Sequence, residues 1–194
     1  MGKTITTEEM ALLPLEVFQG KIEIVQTEKE ADCAVEYLSQ FNRIGFDTET
    51  RPSFTKGVIK GVSLIQLSTP DSCFLFRLNT LNGFQPSLIM LLSNPNILKI
   101  GLSLRDDFHS MGRRLKFVPQ GFLDLQKIIQ SYGIEELSLQ KIYAILYGKR
   151  ISKTQRLTNW EAPELTESQK KYAALDAWAC LKIYETLCPT KKSI

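Results

Sequence analysis

Four acidic positions carry the residue types and spacing for joint chemistry. Asp47 and Glu49 stand two apart in Ile44-Gly-Phe-Asp-Thr-Glu. Side chains of a strand alternate faces, so these two carboxylates share one face while Ile44 and Phe46 share the other. Asp176 follows Tyr172 by four residues in Tyr172-Ala-Ala-Leu-Asp, one helical turn, which stacks the pair on one face. That face also carries Ala173, Ala179, Cys180, Ile183 and Leu187, with Lys171, Lys182 and Glu185 opposite. A carboxylate on an apolar face is costly unless paired or coordinated. Asp106 and Asp107 directly follow the apolar run 97–104, where one can cap a helix and the other point into a cleft. Singly, each acid has a structural explanation: a strand end in solvent, an Asp bonded to backbone or arginine, a helix cap. Together, carboxylates without His or Cys partners suit the hard cations Mg²⁺ and Mn²⁺. Two such ions form the clamp of in-line phosphodiester hydrolysis, one acidifying water and the other stabilising the leaving oxygen.

The elements that must position these acids are readable in outline. A short helix begins at Thr7 and is stopped by Pro14, a strand follows over 21–26, and Thr27 with Glu30 makes a capping box opening a helix to residue 40. Strands are expected over 43–49, 61–68 and 72–78. The tight turn Thr-Pro-Asp-Ser at 69–72 makes the last two antiparallel neighbours. Then come a helix at 86–92, a strand at 97–104, a helix near 107–115, a short strand near 122–125, and helices at about 125–132, 138–147 and 166–187. Thr166 and Gln169 give the last helix capping-box spacing. Three meandering strands followed by strands alternating with helices imply an α/β fold, a mixed five- or six-stranded sheet with helices on both faces.

Composition excludes much. The 194 residues hold 43% hydrophobic and 23% charged residues, ordinary for one globular domain with a real core. Residues 1–20 read as an arm and 21–190 as the domain. No apolar run approaches the ~18 residues of a membrane span, and the polar stretch 1–10 lacks a signal-peptide core, which gives the expectation of a cytoplasmic protein without a membrane partner. Cys33, Cys73, Cys180 and Cys188 form no C-x-x-C pair and read as small buried residues in a reducing compartment. With one histidine, His109, metal clusters built on His are excluded, and no G-x-S-x-G nucleophile elbow is present. No residue pattern assigns an oligomeric state.

In order along the chain, 44–54 (Ile-Gly-Phe-Asp-Thr-Glu-Thr-Arg-Pro-Ser-Phe), 62–68 (Val-Ser-Leu-Ile-Gln-Leu-Ser), 101–107 (Gly-Leu-Ser-Leu-Arg-Asp-Asp), Asn159-Trp160 and Tyr172-Ala-Ala-Leu-Asp-Ala resemble the DEDD 3′–5′ exonucleases, nearest the RNase D and Werner-syndrome exonuclease branch. The resemblance covers about residues 21–188. It implies an RNase H-like fold, removal of nucleotides one at a time from a free 3′ end of nucleic acid, and two divalent cations. By that resemblance Asp47 bridges both ions, Glu49 and Asp176 complete the first ion's ligands, Asp107 supports the second, and Tyr172 orients the attacking water. The Tyr172-x-x-x-Asp176 motif is similar to the tyrosine subclass; Lys171 stands where the histidine subclass places its His.

Charge fits a polyanionic partner. The net charge is +3, and removing the four proposed ligands leaves 24 basic residues against 17 acidic ones, about +7. Lys149, Arg150, Lys153 and Arg156 form a basic loop beside Trp160, an arrangement suited to tracking a single strand. Phe54, after Glu49, could stack on a terminal base or pack internally. Arg113, Arg114 and Lys116 make a second cluster at a helix end. The expected activity is a metal-dependent 3′–5′ exonuclease with DNA favoured over RNA. The alternatives are a non-catalytic nucleic-acid-binding module on the same fold and an endonuclease.

Overall fold

The computed structural model describes residues 2–53 and 60–189. Its strands are β1 (Lys21–Val25), β2 (Arg43–Thr50), β3 (Val62–Ser68), β4 (Ser72–Arg77), β5 (Leu98–Gly101) and β6 (Phe122–Asp124); its helices are α1 (Thr7–Ala11), α2 (Glu28–Leu38), α3 (Pro86–Leu92), α4 (Leu104–Gly112), α5 (Leu139–Tyr147) and α6 (Glu167–Leu187). The strands form one six-stranded sheet in the order β1-β4-β3-β2-β5-β6. β3 runs antiparallel to both β2 and β4, while β1/β4, β2/β5 and β5/β6 are parallel.

Alternation along the strands divides the core. Ile44 and Phe46 of β2, Ile65 and Leu67 of β3, and Phe74 and Phe76 of β4 pack with Ala31, Leu38, Leu88 and Leu91 of α2 and α3. Leu64, Leu75 and Ile100 face the other way, toward Tyr143, Ala173, Ala177 and Leu181 of α5 and α6. Helices therefore cover both faces. The capping boxes at Thr27/Glu30 and Thr166/Gln169 open α2 and α6 as their spacing requires.

α6 lies backbone against backbone on the sheet at Gly45. A β-carbon there would collide with the Ala177 carbonyl oxygen. This contact, one residue from Asp176 and two from Asp47, sets how closely the two carboxylates approach.

The arm is built into the fold. Lys3 N–H donates to Gly133 O at 2.6 Å, Glu16 N–H to Arg150 O at 2.9 Å, and Arg150 N–H to Pro14 O at 2.9 Å. The Glu16 carboxylate is buried and accepts from Tyr143 OH at 2.7 Å and from Lys149 Nζ at 3.1 Å.

Three expectations need correction. The strand over 97–104 stops at Gly101 because Ser103 is left-handed (φ 60°), and α4 starts at Leu104, earlier than 107. The helix over 125–132 is two 3₁₀ turns, Leu125–Lys127 and Ile129–Tyr132, broken at Ile128 (φ −114°) and closed by left-handed Gly133. Among the cysteines, Cys73 and Cys180 are buried, but Cys33 is exposed and Cys188 half-buried beside Tyr132 OH at 3.2 Å. His109 accepts from Arg113 Nη2 at 2.8 Å on the exposed side of α4.

Candidate active site

Asp47 and Glu49 project from the end of β2 toward α6, and Asp176 descends from α6 to meet them. Carboxylate oxygens of Asp47, Glu49 and Asp176 all lie within 4.8 Å of one another. Glu49 and Asp176 are buried and Asp47 is half-buried. The strand register shifts between Glu49 and Thr50, an irregularity in the ladder directly beside the acids. They line a cavity of about 480 Å³ with Tyr172, Lys153 and Arg156.

Asp107 arrives from the opposite side of the sheet. It sits in the first turn of α4, and Thr48 Oγ1 donates to its Oδ1 at 2.5 Å, tying α4 to the strand that bears Asp47 and Glu49. Asp107 is half-buried; its neighbour Asp106 is exposed. Neither caps the helix. Asp124, at the end of β6, does so instead, accepting from Ser103 N–H at 3.1 Å and Leu104 N–H at 3.0 Å. Its carboxylate satisfies two of the four orphan donors of the helix start and fixes the turn that carries Asp107. Sequence reasoning missed Asp124 because a cap supplied twenty residues downstream has no local spacing signal.

The electrostatics are those of crowded acids deprived of water. Burial, then Asp107, Asp176 and Glu49, hold the Asp47 carboxyl well above its ordinary range. Burial, then Asp176 and Asp107, push Glu49 up to about 9. Burial raises Asp107 to about 7 against the lowering effect of Thr48, and Asp176 to about 7 against those of Tyr172 and Lys153. Asp176 Oδ1 is buried with no hydrogen-bond partner among the described residues. Gln66, directly across from Asp47 on β3, is buried with its amide likewise unpartnered.

Clustered oxygen donors, an orphaned carboxylate oxygen and uncompensated negative charge fit a divalent cation. Asp47, Glu49 and Asp176 could hold one ion. Asp107, outside that trio, stands near enough to Asp47 and Glu49 to raise the pKa of each, and could support a second beside Asp47. The Tyr172 hydroxyl faces Asp176; burial first, then Asp176, Glu49 and Asp47, drive the phenol further above its ordinary value.

The remaining expected contacts divide. Lys153 and Arg156 are exposed, line the cavity and offset charge on Asp176 and Glu49 respectively. Lys149 instead pairs with buried Glu16, and Arg150 Nε donates to Leu13 O at 3.1 Å. Both hold the arm. Trp160 is 0% exposed and packs on Tyr172 at 6.0 Å between ring centroids, so it has no face to offer a base. Arg77 causes this: buried under the 159–163 loop, it donates to the Ala162 and Pro163 carbonyls and draws the loop inward. Phe54 lies outside the described residues. Arg114 pairs with Glu161 at 3.4 Å, and Glu161 also holds Arg51 at 3.3 Å.

A family model described as 3′–5′ exonuclease matches residues 22–190. The mouse bifunctional 3′–5′ exonuclease/ATP-dependent helicase WRN is 33% identical over 186 residues, covering 90% of this chain and 13% of that protein. An Arabidopsis thaliana 3′–5′ exonuclease is 34% identical over 154 residues, covering 74% of this chain and 52% of that protein. The chain thus spans about half or less of these relatives' length. Among solved structures, the Aedes aegypti Nibbler EXO domain superposes with a TM-score of 0.77 at 22% identity, covering 89% of this chain and 90% of that one. Escherichia coli RNase D superposes with a TM-score of 0.76 at 23% identity, covering 86% and 44%. These likenesses establish the RNase H-like fold of RNase D-like exonuclease domains.

Proposed function

The chain belongs to the 3′–5′ exonuclease family, and on that premise we propose that it hydrolyses phosphodiester bonds one nucleotide at a time from the 3′ end of a polynucleotide with two divalent cations, Mg²⁺ or Mn²⁺. The observation carrying this reading is the trio Asp47, Glu49 and Asp176, whose carboxylate oxygens lie within 4.8 Å of one another, with Asp107 tied alongside by Thr48.

Asp47, Glu49 and Asp176 would hold one cation, and Asp47 with Asp107 the other. When bound, the pair supplies an acidified water and neutralisation of charge on the leaving oxygen. The chain's own residues do the rest. Tyr172 keeps its proton and positions the water by hydrogen bonding. Lys153 and Arg156, at the cavity wall, attract and orient the phosphate. Asp124 and Thr48 hold Asp107 against recoil from its like-charged neighbours. DNA is the substrate we favour, with RNA the alternative, because the motifs lie nearest the Werner-syndrome exonuclease branch.

Matched DNA and RNA oligonucleotides, free or blocked at the 3′ end, incubated with Mg²⁺, Mn²⁺ or EDTA, test the proposal. A metal-dependent ladder shortening from the free 3′ end is expected. Internal cuts in the 3′-blocked strand indicate an endonuclease, binding without cleavage a non-catalytic module, and cleavage in excess EDTA removes the metal mechanism.

A further inference from the structure

The carboxylate cavity does not end at Lys153. A second cavity, of about 290 Å³, adjoins it and shares Ser138, Gln140 and Lys153. One wall is α1 of the N-terminal arm, through Thr7, Met10 and Ala11; the other carries Lys141, Arg150 and Lys153. No acid lines it. Of the nearby acids, Glu9 accepts from Thr6 N–H in its capping box, while Glu136 pairs with the lining Lys141 at 3.0 Å and offsets its charge. A different cavity borders the site beyond Glu49, but there Glu49, Asp106 and Asp107 balance Arg51, Lys60 and Arg156. Charge therefore distinguishes the two outlets.

We infer that the arm forms one wall of the substrate groove, and that the cavity between α1 and the 149–153 segment takes the phosphodiester backbone next to the 3′-terminal nucleotide. This rests on the nuclease reading of the carboxylate site. Lys153 and the guanidinium of Arg150, whose Nε alone is tied to Leu13 O, keep their charge in a wall that no acid lines and complement a polyanion, and Lys153 stands at the junction where the strand passes from one cavity to the other. The wall is preformed: the Glu16–Arg150 and Arg150–Pro14 backbone bonds and the Glu16–Lys149 pair fix the arm to the loop opposite. A groove already assembled loses little freedom when a strand enters it.

Charge at residue 11 tests this. Ala11 is exposed at the end of α1, so Ala11→Lys and Ala11→Glu are tolerable surface changes of opposite sign. Binding of a short fluorescein-labelled oligothymidylate is followed by anisotropy with the full chain in chelator, across a salt series. The expected result is about fivefold tighter binding for Ala11→Lys and about fivefold weaker for Ala11→Glu. The slope of log K against log salt should steepen by about 0.7 for the lysine variant. Equal affinity in the three proteins, or a shift in the same direction for both variants, overturns the groove. Hydrolysis of thymidine 5′-p-nitrophenyl phosphate by the unsubstituted chain, a probe too short to reach α1, reads the carboxylate site alone. Hydrolysis without a charge effect at residue 11 overturns the groove and keeps the exonuclease reading. A charge effect without hydrolysis supports the groove and overturns that reading.

Discussion

The Trp160 indole packs against the Tyr172 ring, centroids 6.0 Å apart and planes 33° from parallel, with Trp160 wholly out of water. An aromatic that the sequence places beside a basic loop is therefore a buried support under Tyr172. Trp160→Ala should cost about 3–5 kcal/mol of stability. Trp160→Phe should cost less, since the indole Nε1 has no hydrogen-bond partner among the described residues to lose. Urea unfolding of both variants, beside oligonucleotide affinity, checks this. Trp160→Ala that keeps full stability and loses only affinity would return Trp160 to the substrate.

Removing metal should make stability fall as pH rises. A carboxyl whose pKa is raised by folding holds its proton in the folded chain after the unfolded chain has lost it. The folded state then binds more protons, and stability declines with pH. The window runs from the unfolded values of 3.8 and 4.5 through about 7 for Asp107 and Asp176 and about 9 for Glu49. In chelator, the cluster's contribution is full below that window and lost across it. Asp47→Asn removes one carboxyl that is itself held well above its ordinary range and should flatten the decline, while abolishing both cleavage and the stabilisation added by Mg²⁺. An unchanged pH slope in Asp47→Asn, followed by urea unfolding, rejects the account.

The basic loop should separate into two functions. Lys153→Gln and Arg156→Gln should raise KM, shallow the salt dependence of binding and leave kcat nearly unchanged, because both side chains stand at the cavity wall. Lys149→Gln should leave the salt slope alone and lower stability, because its partner is buried Glu16 at 3.1 Å. Equal salt effects from Lys149 and Lys153 would overturn the division.

Much of this site was legible because its periods are local. The two-residue repeat of β2 put Asp47 and Glu49 on one face, and the helical repeat of α6 put Tyr172 over Asp176. Capping boxes marked where α2 and α6 begin. What stayed hidden depends on partners distant in sequence. Nothing around Trp160 shows that Arg77, more than eighty residues earlier, pulls its loop inward through Ala162 and Pro163. Nothing around Lys149 shows that Glu16 waits across the fold. Asp124 reads locally as the end of a short strand, and only the tertiary arrangement makes it the cap that seats α4.

Asp107 and Asp106 should behave oppositely. Asp107 accepts from Thr48 and adds to the charge around Asp47, whereas Asp106 is exposed. Asp107→Ala should abolish cleavage and Asp106→Ala should leave most of it. The reverse outcome would put the helix register wrong by one residue. Thr48→Val, which removes the donor and keeps the shape, should lower kcat with little change in KM.

Tyr172 should act on water through its hydroxyl and contribute nothing as a base. Its phenol is pushed further above the ordinary value of 10 by burial and then by the carboxylates of Asp176, Glu49 and Asp47, so it keeps its proton at every working pH. A protonated phenol one helical turn from Asp176 can hold a water in line with the scissile phosphate, while the ring rests on Trp160. Tyr172→Phe keeps that ring packing and removes only the hydroxyl. Single-turnover kcat should fall by about 10²-fold, the lower end for a positioned proton-handling group. Oligonucleotide affinity, the Mg²⁺ concentration needed for half-maximal rate and the urea midpoint should barely move. A plain core tyrosine would give the opposite pattern, with cleavage intact in the Phe variant. Full single-turnover activity in Tyr172→Phe would remove Tyr172 from the mechanism and leave the four carboxylates to position the water unaided.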